Sequence, residues 1–262
     1  MPPRLLIFDD YESLSRIAVE MLVYHARDAI AQRGLFTLVL SGGGTPQRLF
    51  EFLARAEYIE QISWPHTHVF WGDERCVPPD QPGSNYKQAF DTFLSKVPIP
   101  PENIHRVRGE LAPEDAAEDY VRQLHHFSPT PVLSPARSFG DFPTSETPPR
   151  FDFVLLGMGN DGHTASLFPG PITERERNSL VIPVTAHYQD RPANRVSLTP
   201  RAFNAARQIF FLATGASKAE TLQAVLNGPS DPERLPAQRI QPFDGQVTWF
   251  VDREAARLVS RS

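Results

Sequence analysis

The chain has 262 residues, 40% hydrophobic and 22% charged, with a formal net charge of −5. That balance is close to the globular average and excludes a largely disordered or fibrous chain. It also demotes a general nucleic-acid binder, which carries a basic excess, while leaving room for a local basic pocket for a small anion.

Cys76 is the only cysteine, so an intramolecular disulfide and a Cys-rich zinc site are excluded. No apolar run reaches the roughly 18–20 residues that span a bilayer, and residues 1–10 lack the long apolar core of a secretory signal. The expectation is a cytoplasmic protein with no membrane and no nucleic-acid partner.

Residues 5–8 read as a short edge strand. Over residues 11–33, Leu14, Ile17, Met21, Leu22 and Ala29 recur close to helical spacing, and Gly34 punctuates the end. Residues 35–40 (LFTLVL) form a short apolar run of the kind buried in a parallel sheet. A glycine cluster follows, and then Leu49, Phe50, Phe52 and Leu53 suggest a helix with Pro46 in its first turn. The unit repeats in kind. A strand at 68–71 runs into Gly72-Asp73-Glu74-Arg75, and Phe90, Phe93 and Leu94 mark a helix.

Residues 128–150 are dense in Pro, Ser and Thr and read as a mobile surface loop rather than a linker. Beyond it, strands are expected at 151–156, 208–213 and 247–251, a short extended piece at 196–198 and a helix at 216–226. Strands alternating with helices imply an α/β fold of three layers, a mainly parallel sheet with helices on both faces. One domain over 1–262 fits better than two, because the strands flanking the Pro-rich loop look like members of one sheet.

In open parallel sheets, ligands bind beyond the carboxyl ends of the strands. Three polar clusters fall there. In Ser41-Gly42-Gly43-Gly44-Thr45, glycines let backbone N–H groups wrap an anion, and the next helix adds its dipole. It is not a P-loop, since no Gly-Lys-Ser/Thr follows. In Asp73-Glu74-Arg75, two acids and a base can do acid–base work, hold a polar substrate, or simply pair on the surface.

The third cluster is Gly157-Met158-Gly159-Asn160-Asp161-Gly162-His163-Thr164. Its glycines match the dinucleotide pattern G-x-G-x-x-G, but Asp161 would put a carboxylate where a pyrophosphate belongs. No acidic residue ends a clear strand about 20 residues on, as that pattern requires. Asp161 beside His163 is more telling, because a carboxylate can orient an imidazole as a general base. Arg195 and Lys218 are later cations; Lys218 falls where a helix begins after a strand, a natural phosphate site. No metal constellation and no Gly-x-Ser-x-Gly elbow emerges.

The order of motifs is informative as a whole. It runs from Ser41-Gly42-Gly43 to Trp71-Gly72-Asp73-Glu74-Arg75-Cys76-Val77-Pro78 and Ser84-Asn85-Tyr86, then to the stretch 157–170 (GMGNDGHTASLFPG). This resembles the 6-phosphogluconolactonases, in the superfamily shared with glucosamine-6-phosphate deaminases. Arg195-Val196-Ser197-Leu198-Thr199 and Gly215-Ala216-Ser217-Lys218 fit that family's later motifs. The likeness spans about residues 35–251, with the 128–150 loop departing from it.

The deaminase pattern has Asp-Glu-Tyr where this chain has Asp73-Glu74-Arg75, and a ring-opening Glu where this chain has Phe168. The resemblance therefore implies hydrolysis of a phosphorylated sugar lactone without metal or cofactor. It implies His163 as base held by Asp161, Arg75 facing the oxyanion, and Asp73 holding hydroxyls or placing water. Ser41, Gly42, Gly43, Gly44, Thr45, Arg195 and Lys218 would bind the phosphorylated substrate. A deaminase-type isomerase is the alternative. A non-catalytic sugar-phosphate sensor is another, for which a first strand near Leu5 leaves no room for a DNA-binding segment.

Overall fold

The computed structural model of the protein describes residues 2–128, 147–187 and 192–260. Most of the expected Pro-rich loop, 129–146, lies outside them. The strands are β1 (Arg4–Phe8), β2 (Phe36–Leu40), β3 (Thr67–Trp71), β4 (Asp73–Arg75), β5 (Ile104–His105), β6 (Phe153–Gly157), β7 (Val181–Thr185), β8 (Asn194–Leu198), β9 (Gln208–Ala213) and β10 (Gln246–Asp252). The helices are α1 (Tyr11–Arg33), α2 (Gln47–Leu53), α3 (Ala56–Ile59), α4 (Asn85–Thr92), α5 (Pro113–His125), α6 (Glu174–Asn178), α7 (Pro200–Phe203), α8 (Ala219–Asn227) and α9 (Arg253–Ala256).

Local chemistry sets these boundaries. Asp10 caps α1 by accepting from the Ser13 N–H at 2.7 Å, and Gly34 ends it at φ +80° with its N–H on the Ile30 carbonyl. Leu14, Ala18, Leu22, Ala26 and Ala29 are buried along that helix, on one stripe. Every residue of β2 is buried, as its unbroken apolar run requires of a strand covered on both faces. The helix expected around Phe90–Leu94 is α4, displaced toward the N-terminus: it begins at the Ser84 cap and ends before Phe93, with a 3₁₀ turn at Leu94–Lys96.

Seven strands form one parallel sheet in the order β1-β10-β9-β6-β2-β3-β5, with helices around it. From β2 the chain steps outward through β3 to β5; from β6 it steps the other way through β9 to β10. The order reverses between the neighbours β2 and β6, which is where such sheets open a crevice at their C-terminal edge. Phe153, Phe210 and Phe250, on the adjacent strands β6, β9 and β10, are buried, with centroids 4.3 Å apart for Phe153–Phe210 and 4.6 Å for Phe210–Phe250.

The expectation of a single sheet needs an addition. β4, β8 and β7 form a second, three-stranded antiparallel sheet. Its origin is at Gly72, whose N–H bonds the Leu40 carbonyl at 2.8 Å while its carbonyl accepts from the Leu198 N–H. Buried Tyr120 of α5 bonds both the N–H and the carbonyl of Trp71, ending β3 there. The chain thus leaves the parallel sheet within one residue, and Asp73–Arg75 pair with β8 instead.

Candidate active site

The glycine loop after β2, the start of β4, the turn after β6 and the turn after β9 all end at the same edge. Together they enclose a cleft of about 190 Å³. Ser41, Gly42, Gly43, Gly44, Thr45, Asp73, Arg75, His163, Arg195 and Lys218 all line it, as does Asn85. Asp161 sits behind His163 and faces the neighbouring depression. A larger depression, of about 730 Å³ beside α6 and α7, holds none of these residues. A buried Glu176–Arg239 ion pair (2.9 Å) sits at it, and Arg239 also bonds the Phe168 and Gly170 carbonyls, a structural network.

The turn after β6 is built around its pair of side chains. Gly159 N–H bonds the His163 carbonyl at 2.8 Å and Gly162, at φ +82°, returns to the Gly159 carbonyl. No helix opens in this stretch, the next being α6, so the dinucleotide reading fails on geometry as well. His163 Nδ1 lies 2.5 Å from Asp161 Oδ1. An ionised carboxylate only accepts, so Nδ1 is the donor, and in the neutral ring that tautomer leaves Nε2 as the basic nitrogen. Burial pushes the Asp161 carboxyl up, but the hydrogen bond and charge of His163 pull it further down, below the ordinary carboxylate range. A Cβ on Gly159 would fall 2.0 Å from His163 Nδ1, so glycine is required for the pair to form. The His163 ring packs against the Phe168 ring at 5.2 Å, and the Arg195 guanidinium sits over the Phe168 ring at 5.7 Å.

The small sheet presents the charged wall. Asp73 faces Ser197 and Arg75 faces Arg195 across β4 and β8, all on one side of the pleat, while Glu74 points to the other. Two cations are thus carried at directly opposed positions of the small sheet, Arg195 Nε donating to the Pro192 carbonyl. Arg75 Nη1 donates to the Gly83 carbonyl, and its Nε has no acceptor among the described residues. Asp73 is buried, with Oδ2 accepting from Ser166 Oγ at 2.7 Å and Oδ1 from Asn85 Nδ2 at 3.3 Å.

Glu74 anchors the wall from behind. It accepts from the N–H groups of Arg75, Asn85 and Tyr86 and from Ser84 Oγ, which ties β4 to the first turn of α4. Burial pushes its carboxyl up to about 7 against the pull of those amides. A Cβ on Gly42 would lie 1.8 Å from Asn85 Oδ1. The first glycine is therefore there to admit the Asn85 side chain.

The glycine loop departs from the expectation of three amides open to a phosphate. Gly43 N–H donates to Gln88 Oε1 at 3.1 Å, and Gln88 Nε2 donates back to the Gly43 carbonyl at 2.6 Å. On the other side, Tyr11 hydroxyl lies 3.0 Å from the Gly44 carbonyl and 2.5 Å from that of Thr45, and it accepts from the Arg48 N–H. Sequence reasoning passed over Tyr11 and Gln88, and gave no role to Ser166 within the 157–170 motif; the partners of all three lie far away in the chain. Asn85 carried a signal, since it follows a Ser of N-cap type in a motif already singled out. Among the described residues no group of three or more His, Cys, Asp or Glu is placed to hold a metal ion, and no helix is long and apolar enough to cross a membrane.

Comparison with known proteins places this geometry in context. The family described as glucosamine-6-phosphate isomerases/6-phosphogluconolactonase matches residues 9–249. A 6-phosphogluconolactonase from Haemophilus influenzae is 36% identical over 243 residues, 90% of this chain and 96% of that protein. A probable chloroplastic 6-phosphogluconolactonase from Oryza sativa is 37% identical over 256 residues, 97% of this chain and 76% of that one. The solved 6-phosphogluconolactonase of Trypanosoma brucei superposes with a TM-score of 0.80 at 27% identity, covering 98% of this chain and 99% of that one. With its motifs, fold and cleft in agreement, the chain belongs to the glucosamine-6-phosphate isomerase/6-phosphogluconolactonase family of sugar-phosphate enzymes.

Proposed function

We propose that the protein hydrolyses 6-phospho-D-glucono-1,5-lactone to 6-phosphogluconate, in the oxidative pentose phosphate pathway. The observation that carries this reading is the Asp161–His163 pair at the rim of a cleft whose other walls bring Arg75, Arg195 and Lys218. Nε2 of His163 takes a proton from water as the water oxygen bonds C1. The carbonyl electrons move onto oxygen, where Arg75 supports the developing charge. Collapse then breaks the bond from C1 to the ring oxygen, which leaves with the proton held by His163. No metal enters this scheme. Asp73 keeps lone pairs beyond those used by Asn85 and Ser166 and accepts a sugar hydroxyl. The phosphate, with charge of about −1.5 to −2, lies with the glycine loop, Arg195 and Lys218. Phe168 against His163 favours a lactonase over a deaminase, whose ring-opening carboxylate would stand there.

The test is the purified protein on freshly made 6-phosphogluconolactone, reading acid release above the spontaneous background, with glucosamine-6-phosphate in parallel. Accelerated hydrolysis without ammonia is expected. Ammonia release, or no acceleration of either reaction, refutes the reading.

A further inference from the structure

The proposed phosphate site rests on a loop whose three glycines leave the backbone many conformations. Something must choose among them. α1 and α4 flank that loop, and each sends one side chain into it. Gln88 bonds both the N–H and the carbonyl of Gly43, closing a two-bond ring between amide groups. Tyr11 holds the carbonyls of Gly44 and Thr45, with its hydroxyl fixed in turn by the Arg48 N–H.

A trans peptide points its C=O and N–H in opposite directions. The Gly43 carbonyl turned to Gln88 therefore directs the Gly44 N–H away from α4. The Gly44 carbonyl turned to Tyr11 directs the Thr45 N–H away from α1. Neither of these two amides has an acceptor among the described residues, whereas the Gly43 amide is occupied. Both residues line the cleft.

We infer that Tyr11 and Gln88 are positioning residues of the substrate site: they hold the glycine loop so that the Gly44 and Thr45 amides, and not the Gly43 amide, receive the substrate's phosphate. The inference deepens the proposed function and rests on it. Neither side chain touches substrate. Each acts through the backbone it bonds, so its loss falls on binding of the phosphate rather than on the proton transfer at His163.

Two measurements test this. The first uses the unaltered protein, with inorganic phosphate as probe and backbone amide resonances as readout. The Gly44 and Thr45 amides shift with phosphate, and the Gly43 amide and the Gln88 carboxamide hold their positions. A dominant shift at Gly43 with release of Gln88 overturns the inference. The second compares Gln88→Ala and Tyr11→Phe with the wild type on phosphorylated and unphosphorylated gluconolactone. Each variant loses hydrogen bonds to the loop, so KM for the phosphorylated lactone rises about tenfold with kcat within about twofold. The preference for the phosphorylated lactone falls by the same factor. Unchanged preference in both folded variants removes the clamp while leaving the lactonase reading intact. No phosphate response anywhere in the loop, together with no lactone hydrolysis by the wild type, removes both.

Discussion

Replacing Gly159 with alanine disables the proposed base without deleting any group that takes part in the chemistry. The added Cβ would lie 2.0 Å from His163 Nδ1, 2.3 Å from Cε1 and 2.5 Å from Asp161 Oδ1. Such contacts do not fall below 3.0 Å, so the imidazole must retreat by about 1 Å, and the 2.5 Å bond to Asp161 cannot survive that movement. A misplacement of about 1 Å costs on the order of 10²-fold in rate, or about 2.7 kcal/mol of transition-state stabilisation. The backbone itself is not strained, because Gly159 is outside the positive-φ region.

Gly159→Ala is therefore expected to fold and to keep its melting temperature within a few degrees, while kcat for 6-phosphogluconolactone falls about 10²-fold. His163→Ala, which removes the base outright, should lose about 10²- to 10⁴-fold with KM little changed. Stopped-flow acid release with a pH indicator, beside thermal unfolding followed by circular dichroism, reads both quantities. A folded Gly159→Ala protein with kcat within about threefold of wild type would refute the assignment of the Asp161–His163 pair as the base.

Lys218→Ala should raise KM for the phosphorylated lactone far more than for gluconolactone; equal effects on the two substrates would place Lys218 away from the phosphate. Gly42→Ala forces Asn85 from under the glycine loop, since the new Cβ would stand 1.8 Å from its Oδ1. Overpacking of this kind costs about 1–3 kcal/mol, so urea unfolding should show a lower midpoint, and an unchanged midpoint would mean that the loop simply moves aside. His105 is held down to about 4, first by burial and then by the neighbouring His68 and His126. Its folded value lies below its unfolded one, so the stability it contributes is full above about 6.5 and is lost as pH falls toward 4. His105→Phe keeps a stack on Phe70, now at 4.5 Å, and should flatten that part of the acid-side decline in urea unfolding between pH 7 and 4.5.

The parts of the molecule that were legible in the sequence share one property: their signal is local. β9 is the apolar run Gln208–Ala213, and α1 begins and ends at residues marked by an Asp cap and a glycine. The Asp161–His163 pair is a two-residue spacing on a short turn. The small sheet was hidden because β4 is three polar residues with no periodicity, and its partner β8 lies some 120 residues away, joined only by tertiary pairing. α5 had a readable signature, with Pro113 at its start, Glu114 and Asp115 in its first turn, and buried Ala116, Ala117, Tyr120 and Leu124 at helical spacing. The occupied Gly43 amide could not be read at all, because it depends on Gln88, 45 positions on, being turned back onto the loop.

The facing arginines on β4 and β8 have a thermodynamic consequence. Like charges at paired positions make a strand pairing less favourable than a neutral pair would. A phosphorylated substrate then does more than occupy the cleft. In the proposed binding mode its phosphate brings negative charge to Arg195, and its binding free energy is added to that of folding. Opening of the β4–β8 pairing should therefore be rarer with bound substrate than without it. Protection of β4 and β8 from proteolysis should then rise with the concentration of phosphorylated lactone.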